Sequence, residues 1–570
     1  MGESEAEIFD RVMELVGNDG KFQTRFNCLF SFFISMFVAM NYMNIVMVMN
    51  EPDHWCHVPG REETNYSIEE WRERVLPTEL DNKNKISVSH CKMYDLTESE
   101  ILELDSQGRL NNSNGRLINC WFYDYDETWY DQTVVSQENW VCDRALYVTN
   151  TFSFHRLGEV VGTFIFGQLS DKIGRRPIII SGILMTVFGR FATLFTTEEY
   201  WIFSIFSVFN MLMTFVLYQS LMIIAMEICK MEKRTHITML QCNGWTFGMI
   251  LLPLIFWAVR DWFPFLLLTT FPLMIGLFFP KYLIESPRWL ANQGKYERCA
   301  SELQKIADIN GTDIQVTETM LKELFKKRKE EKLYGMASLF SSKRLALSTI
   351  IMTFCWMIIS IVYYVLVLNS SRMDGNPHLN FVWQSAIELP GVFIGKYLGD
   401  KIGRRFTQVF AFLFASIACI PCIFLVQHPE YATIVSILVV IIRFMYSIIF
   451  FAINLQAFEI YPTCLRQTGF SMMLVIANLM GLVGPYVVYL GTEFDVRYPY
   501  MVMGALFIAG TIAMLFLPET LGELLPQTIE DACEFGKGQK FWAFPKENVS
   551  PQIVKVVEEL KSDENYNTYI

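Results

Sequence analysis

The sequence predicts an all-α membrane protein of twelve transmembrane helices, built as two six-helix halves with a large extracellular loop after helix 1. Three observations predict it. The hexapeptide Asp-Lys-Ile-Gly-Arg-Arg occurs twice, from Asp171 to Arg176 and from Asp400 to Arg405, each time closing a long apolar run. A charged turn repeated at matching hydrophobic positions marks two copies of one membrane unit, the organisation of a secondary transporter. Of the 570 residues 52% are hydrophobic and 19% charged, below the roughly 25% charged residues of soluble domains. Apolar stretches of about 20 residues, the length that crosses a bilayer core, can be placed twelve times.

In the first half the spans are predicted at 25–49, 146–168, 177–197, 200–226, 236–258 and 261–283. In the second they fall at 345–368, 378–399, 406–426, 430–457, 466–490 and 497–517. Residues 1–24 precede span 1, 50–145 form the extracellular insertion, and spans 2 to 6 occupy 146–283. A helical linker covers 284–344, spans 7 to 12 occupy 345–517, and a tail covers 518–570. Basic residues favour the cytoplasmic face. Lys172, Arg175, Arg176, Lys230, Lys233, Arg234, Lys401, Arg404, Arg405 and the run from Lys326 to Lys329 all lie in loops of one side. An even number of spans then leaves both termini in the cytosol of a plasma-membrane protein. Residues 1–20 are acidic and polar, and the first apolar run is longer than a signal-peptide core. The net charge of −12 resides mostly in loops and tails and argues against nucleic acid as a partner.

The insertion holds Cys56, Cys91, Cys120 and Cys142, an even set in an oxidising compartment, with three possible pairings. Sequons at Asn65, Asn111 and Asn369 face outward and are expected to carry glycans; those at Asn310 and Asn548 face the cytosol and are not. The other nine cysteines are expected to be ordinary apolar residues. A second repeat supports the first: Glu227 precedes Arg234 by seven residues, and Glu459 precedes Arg466 by seven. With Asp171, Arg175, Arg176, Asp400, Arg404 and Arg405 these charges are read as gating or structural networks between the turns and neighbouring helix ends. The plainer alternative is that they are topology signals. Neither reading has them touch substrate.

The two turns resemble the signature of the major facilitator superfamily, in which such loops latch the two six-helix halves together. More narrowly, the chain resembles the organic-ion, or solute carrier 22, family. The resemblance is carried by Pro52-Asp-His-Trp-Cys56, Cys91-Lys-Met-Tyr-Asp95, Glu285-Ser-Pro-Arg-Trp-Leu290, Gly375-Asn376, Asn380-Phe381, Glu388-Leu-Pro390, Glu459-Ile-Tyr-Pro-Thr463 and Pro518-Glu-Thr-Leu-Gly522. It covers nearly the whole chain. It implies a polytopic carrier of small organic cations, anions or amine-bearing zwitterions working by alternating access, and the pairings Cys56–Cys120 and Cys91–Cys142. The third bridge common in the family is missing.

In a two-repeat transporter the substrate site lies near the bilayer midplane between the halves, and ionisable residues at that depth are functional candidates by default. Glu159 lies twelve residues before Asp171, about 18 Å along a helix rising ~1.5 Å per residue. Arg156 precedes it by one turn on the same face. Glu159 then either faces a substrate ammonium, with Arg156 meeting a carboxylate or the outer vestibule, or pairs with Arg156 internally. Cation-carrying relatives have an aromatic residue where Glu159 stands. Glu388 matches an acid that such carriers keep in span 8; alternatively it satisfies backbone groups freed by Pro390. Arg190 and Arg443 are read as structural and toward the cytosolic ends. Asn478 stands where cation carriers tend to have Asp and anion carriers Arg, and Val392 replaces the lysine of anion carriers, so an organic anion carrier is the weaker alternative.

The aromatic residues Tyr42, Tyr218, Trp356, Tyr363, Tyr364 and Phe381 fall on positions matching the cavity of the cation carriers, although helix packing alone would also explain each. Cation–π contacts contribute about 0.5–2 kcal/mol each. Gln241 and Gln384 are candidate hydrogen-bond donors to substrate. No nucleotide-binding Gly-rich loop is present and no enzymatic activity or cofactor is expected. A monovalent cation gains about 2.3 kcal/mol per 100 mV, roughly tenfold accumulation or more; a neutral zwitterion needs Na⁺ or H⁺ coupling, with Glu159 as the ion site. The last residues, Thr568, Tyr569 and Ile570, fit the carboxylate pattern captured by PDZ domains. A monomer is expected. A non-transporting sensor or scaffold on the same fold is the alternative of another class.

Overall fold

A computed structural model describes residues 5–58, 67–80, 86–95, 116–230, 233–325, 336–370, 373, 375–462, 465–521, 526, 529–537 and 539. Asn65, Asn111, Asn548 and the last three residues lie outside them, as do the side chains of Arg234 and Arg466.

The fold is helical. Nine helices among the described residues are long and apolar enough to cross a membrane, and they correspond to spans 1, 3, 4, 5, 7, 9, 10, 11 and 12. The other three places are occupied by helices that are more polar or interrupted. Span 2 is one helix, Leu146–Ile173, but carries His155, Arg156 and Glu159. Span 6 is the helix Trp262–Thr270 running on as a 3₁₀ stretch Phe271–Phe278, where Pro272 removes a backbone donor. Span 8 is broken into Pro377–Ala386 and Glu388–Ile402, three residues ahead of Pro390. Span 11 is likewise divided, into Arg466–Gly481 and Gly484–Glu493. Both breaks lie within the second half.

Each hexapeptide is a helix junction, and the two junctions share one design. Gly174 (φ +109°) and Gly403 (φ +92°) turn the chain from span 2 into span 3 and from span 8 into span 9. Such a backbone strongly favours glycine. The first amide groups of the next helix have no partner within that helix, and a distant carboxylate accepts from them: Glu285 from Arg175 N (2.7 Å) and Arg176 N, Glu519 from Arg404 N (2.8 Å) and Arg405 N (3.1 Å). The next residue of each motif, Ser286 or Thr520, donates its hydroxyl to Glu227 or Glu459. Asp171 pairs with Arg175 (2.9 Å), and Asp400 (3.4 Å) and Glu459 (3.3 Å) with Arg404. All of these contacts join elements of one half. In this structure the turns brace each six-helix unit internally, through networks between the turns and neighbouring helix ends.

The halves meet elsewhere. At the opposite end, Tyr486 of span 11 donates to Asn150 of span 2 (2.9 Å) and Ser153 donates to the Leu482 carbonyl (3.4 Å). His378, at the start of span 8, packs on Tyr130 (5.1 Å between rings), in the base of the 50–145 insertion. The insertion's described residues form three two-stranded antiparallel sheets, His54–Cys56 with Tyr123–Tyr125, Thr78–Leu80 with Ile86–Val88, and Lys92–Tyr94 with Leu117–Asn119. Disulfides join Cys56 to Cys120 and Cys91 to Cys142. Arg260 ties the insertion to the end of span 5 through Asp131 (2.7 Å). Asn369 ends span 7 with its amide nitrogen donating to Tyr500 (2.9 Å). At the turn end, the helix Glu5–Val16 packs on the linker helices Tyr296–Asn310 and Glu318–Phe325. Asn310 accepts from Phe22 N (2.9 Å) and donates to the Gly17 carbonyl (2.8 Å).

Gly174→Ala is expected to cost about 1–3 kcal/mol through the forced positive φ and the collision of its Cβ with the Glu285 carboxylate. Gly167→Ala in span 2, which meets open space, is expected to be neutral or slightly stabilising; thermal unfolding of the purified protein compares the two. A second prediction concerns His54 in the insertion. Burial pushes its imidazole below the ordinary value, Glu51 opposing and His90 reinforcing the shift. Folding therefore holds it neutral, so its contribution is present above the unfolded value of about 6.5 and lost as pH falls. The protection factors of the insertion's amides, that is exchange relative to the intrinsic rate at each pH, are expected to fall below about pH 6, and His54→Phe to flatten that dependence.

Candidate functional site

Midway along spans 1, 2, 7 and 11 a closed polar knot ties the two halves together. Arg156 is 5% and Glu159 1% exposed, and they form an ion pair one helical turn apart on span 2. Tyr42 of span 1 donates to Glu159 Oε2 (2.6 Å), accepts from Arg156 Nη1 (2.6 Å) and meets the Tyr364 hydroxyl of span 7 (2.5 Å). The other arm of the guanidinium crosses fully into the second half, donating to Ser360 Oγ (3.0 Å) and Asn478 Oδ1 (2.7 Å). The Asn478 amide reaches back to Glu159 Oε1 (3.4 Å). Of the two alternatives for Glu159, the structure adopts the internal pair.

Glu388 lies twelve residues before Asp400, as Glu159 does before Asp171, so the carboxylates occupy equivalent places in the repeat. Its partner is Arg443 of span 10, whose guanidinium stacks over Tyr363 (4.5 Å) and Tyr446 (5.4 Å). The sequence reading of Arg443 and Arg190 as lying toward the cytosolic ends is corrected here. Arg443 stands eleven residues into a helix of 29, and Arg190 fifteen residues past the turn at Arg175 in a helix of 19, close to its far end.

Aromatic rings connect the two ion pairs. Trp245 of span 5 contacts Tyr42 (5.2 Å) and Tyr218 (5.3 Å), Tyr363 contacts Tyr364 (5.9 Å) and Tyr446 (5.7 Å), and Trp356 contacts Phe450 (6.0 Å) and Phe470 (5.8 Å). Gln241 donates to the Tyr218 carbonyl (2.9 Å) and leaves its own oxygen unpartnered, as Trp356 leaves its indole N–H. Phe381 is buried in the other segment of span 8, and Gln384 turns toward the Met373 sulfur (3.5 Å). The sequence reading missed Trp245, Ser360 and Tyr446. An apolar helix hides such residues among equivalent packing groups; only Arg443, a lone charge in an apolar run, was signalled. His54, Cys91 and Cys142 approach one another as metal-type donors, but the two cysteines are joined to each other and have no thiolate to offer.

A helical membrane protein with paired charges at mid-depth between two repeats is built to carry a polar solute, and comparison with known proteins agrees. Residues 108–531 match the family described as sugar (and other) transporters. The chain belongs to that family. Within it, the chain is 29% identical to the carcinine transporter of Drosophila melanogaster, over 94% of this chain and 81% of the relative. It is 29% identical to organic cation transporter 1 of Caenorhabditis elegans (93% and 89%) and 28% identical to the human organic cation/carnitine transporter 2 (93% and 95%). In fold it is similar to the proton:xylose symporter XylE, with a TM-score of 0.52 at 16% identity, covering 71% of this chain and 92% of that one. The protein is a multi-pass membrane carrier of the major facilitator fold and not an enzyme.

Removing one partner of a buried pair leaves an uncompensated charge, whereas replacing both removes the problem. Glu159→Gln is expected to destabilise the protein by about 3–5 kcal/mol. The double change Arg156→Met with Glu159→Leu is expected to recover most of that loss, read as the midpoint of thermal unfolding.

Proposed function

We propose that this protein moves small organic cations, or zwitterions bearing an amine, across the plasma membrane by alternating access, with both termini in the cytosol. One observation carries the reading. Two carboxylates occupy equivalent mid-membrane positions in the two halves, and each is held by an arginine and ringed by aromatic side chains. An incoming ammonium group is the natural competitor of those arginines, and the rings can hold it by cation–π attraction. The relatives' names, which specify carcinine, organic cations and carnitine, support this substrate class.

Glu388, 14% exposed at the side chain, is the first contact for the cation. The aromatic lining is Tyr42, Tyr218, Trp245, Trp356, Tyr363, Tyr364 and Tyr446. The knot around Arg156 spans the halves, so it must break when they rock apart. A substrate carboxylate bound by Arg156 would release Glu159 to accept a proton or bind Na⁺, which gives a zwitterion its coupling site. Hydrogen bonds across the halves at the insertion end favour assigning this structure to a state closed on the outside. The two glycan sites in the insertion and the C-terminal PDZ pattern belong to the same plasma-membrane reading.

Uptake of radiolabelled amines and zwitterions under clamped potential tests it. With transport normalised to surface protein, Glu388→Gln is expected to lower cation uptake about tenfold or more. Glu159→Gln is expected to abolish any proton or Na⁺ dependence. Wild-type rates in both variants would overturn the assignment.

A further inference from the structure

The first half carries one positive charge too many. At depth in the spans the described residues include three guanidinium groups, on Arg156, Arg190 and Arg443, but two carboxylates, on Glu159 and Glu388, each already paired. Arg190 is the remainder. It is 1% exposed. Its Nη2 donates to the Asn41 carbonyl (3.3 Å), His155 Nε2 (3.3 Å) and Asn210 Oδ1 (3.1 Å), all neutral acceptors. Its Nε and Nη1 have no partner, and neither has the nearby Asn41 Nδ2. One hydroxyl of span 4, Ser207, is also buried without a partner, within one turn of Asn210.

Comparison of the halves sharpens the anomaly. Asn210 stands seventeen residues before Glu227, nearly the place that Arg443 holds sixteen residues before Glu459. In the second half, the arginine at that place neutralises the span 8 carboxylate. In the first half, Glu159 is neutralised by Arg156 from its own helix, and the arginine against Asn210 comes from span 3 with no acid left to meet it. A buried ion without compensation costs several kcal/mol even after relaxation, and amide or imidazole dipoles do not cancel its charge. Water supplies dipoles but no counter-charge.

We propose that Arg190 holds a small inorganic anion, of the charge and size of chloride, in a site formed with Asn41 Nδ2 between spans 1, 3 and 4. The anion completes the charge balance of the first half. His155 separates this site from Tyr42, whose ring lies 6.2 Å away, so the anion stands one residue behind the cation-facing wall. Shielding by His155 and Asn41 selects a compact ion over the carboxylate of a larger solute. The inference does not depend on which substrate is carried.

The test uses the purified full chain in nanodiscs, without transport. Thermal unfolding is followed in sodium chloride, sodium bromide and sodium gluconate at equal ionic strength. The expected result is a saturable rise in the midpoint of roughly 2 °C in both halides but not in gluconate, absent in Arg190→Gln. Equal midpoints in halide and gluconate would overturn the proposal, as would an undiminished halide response in Arg190→Gln. Stabilisation by a carboxylate-bearing amine in gluconate, lost in Arg190→Gln and unmatched by halide, would also overturn it and give the site to substrate. Should Arg190→Gln fail to fold, anomalous scattering from bromide-soaked wild-type crystals decides: a peak within hydrogen-bond distance of the Arg190 guanidinium supports the site, and its absence removes it.

Discussion

The ion pair between Arg156 and Glu159 is the interaction on which the rest of the structure depends. Hydrocarbon offers no solvent to either charge, so each must find its complement within the protein. Span 2 meets this requirement with two residues one turn apart, and the pair then recruits Tyr42, Tyr364, Ser360 and Asn478 to satisfy its remaining donors and acceptors. Those partners come from both halves. The cheapest way to bury the charge is therefore also a bond between the units that must rock apart, and the stability of this closed state is coupled to the chemistry of the site.

At the turn ends the same physics gives a different result. Glu285 and Glu519 lie where helix amide groups are unpaired and the helix dipole favours negative charge, and each bond they make stays inside a half. Rigid six-helix units with internally braced ends, joined across the middle by a breakable polar knot, are the mechanical elements of alternating access. The repeat of Glu-Ser and Glu-Thr after spans 6 and 12, each hydroxyl meeting a glutamate of span 4 or 10, extends the duplication from the hexapeptides to their caps.

Much of the fold was legible. Apolar runs bounded by charge mark spans because backbone polarity leaves a helix as the main way through lipid, and the helices fall within a few residues of most predicted bounds. The departures have local causes: Pro272 turns the end of span 6 into a 3₁₀ stretch, Pro390 accompanies the break in span 8, and glycines flank the break in span 11. The site was legible as a set of residue types at one depth. Tyr42, Arg156, Glu159, Tyr364 and Asn478 do come together, whereas Gln384 turns to the Met373 sulfur, because position along a helix fixes depth but not the direction a side chain faces.

The sequence by itself determined the duplicated helical architecture, the matching depths of Glu159 and Glu388 before the two turns and the scarcity of charged residues in the spans, since periodicity and hydropathy are properties of the chain alone; the depths of Arg190 and Arg443 came from the structure. Only the tertiary structure decided who neutralises whom. Glu159 takes its own neighbour Arg156, Glu388 takes Arg443 from a helix some fifty residues away, and Arg190 is left with neutral partners. Asn478 shows the difference most clearly. As a letter it is a neutral amide where anion carriers place an arginine; in space it holds the guanidinium that span 2 extends to it. Charge compensation depends on distances of a few ångströms between helices, and nothing in the order of residues specifies them.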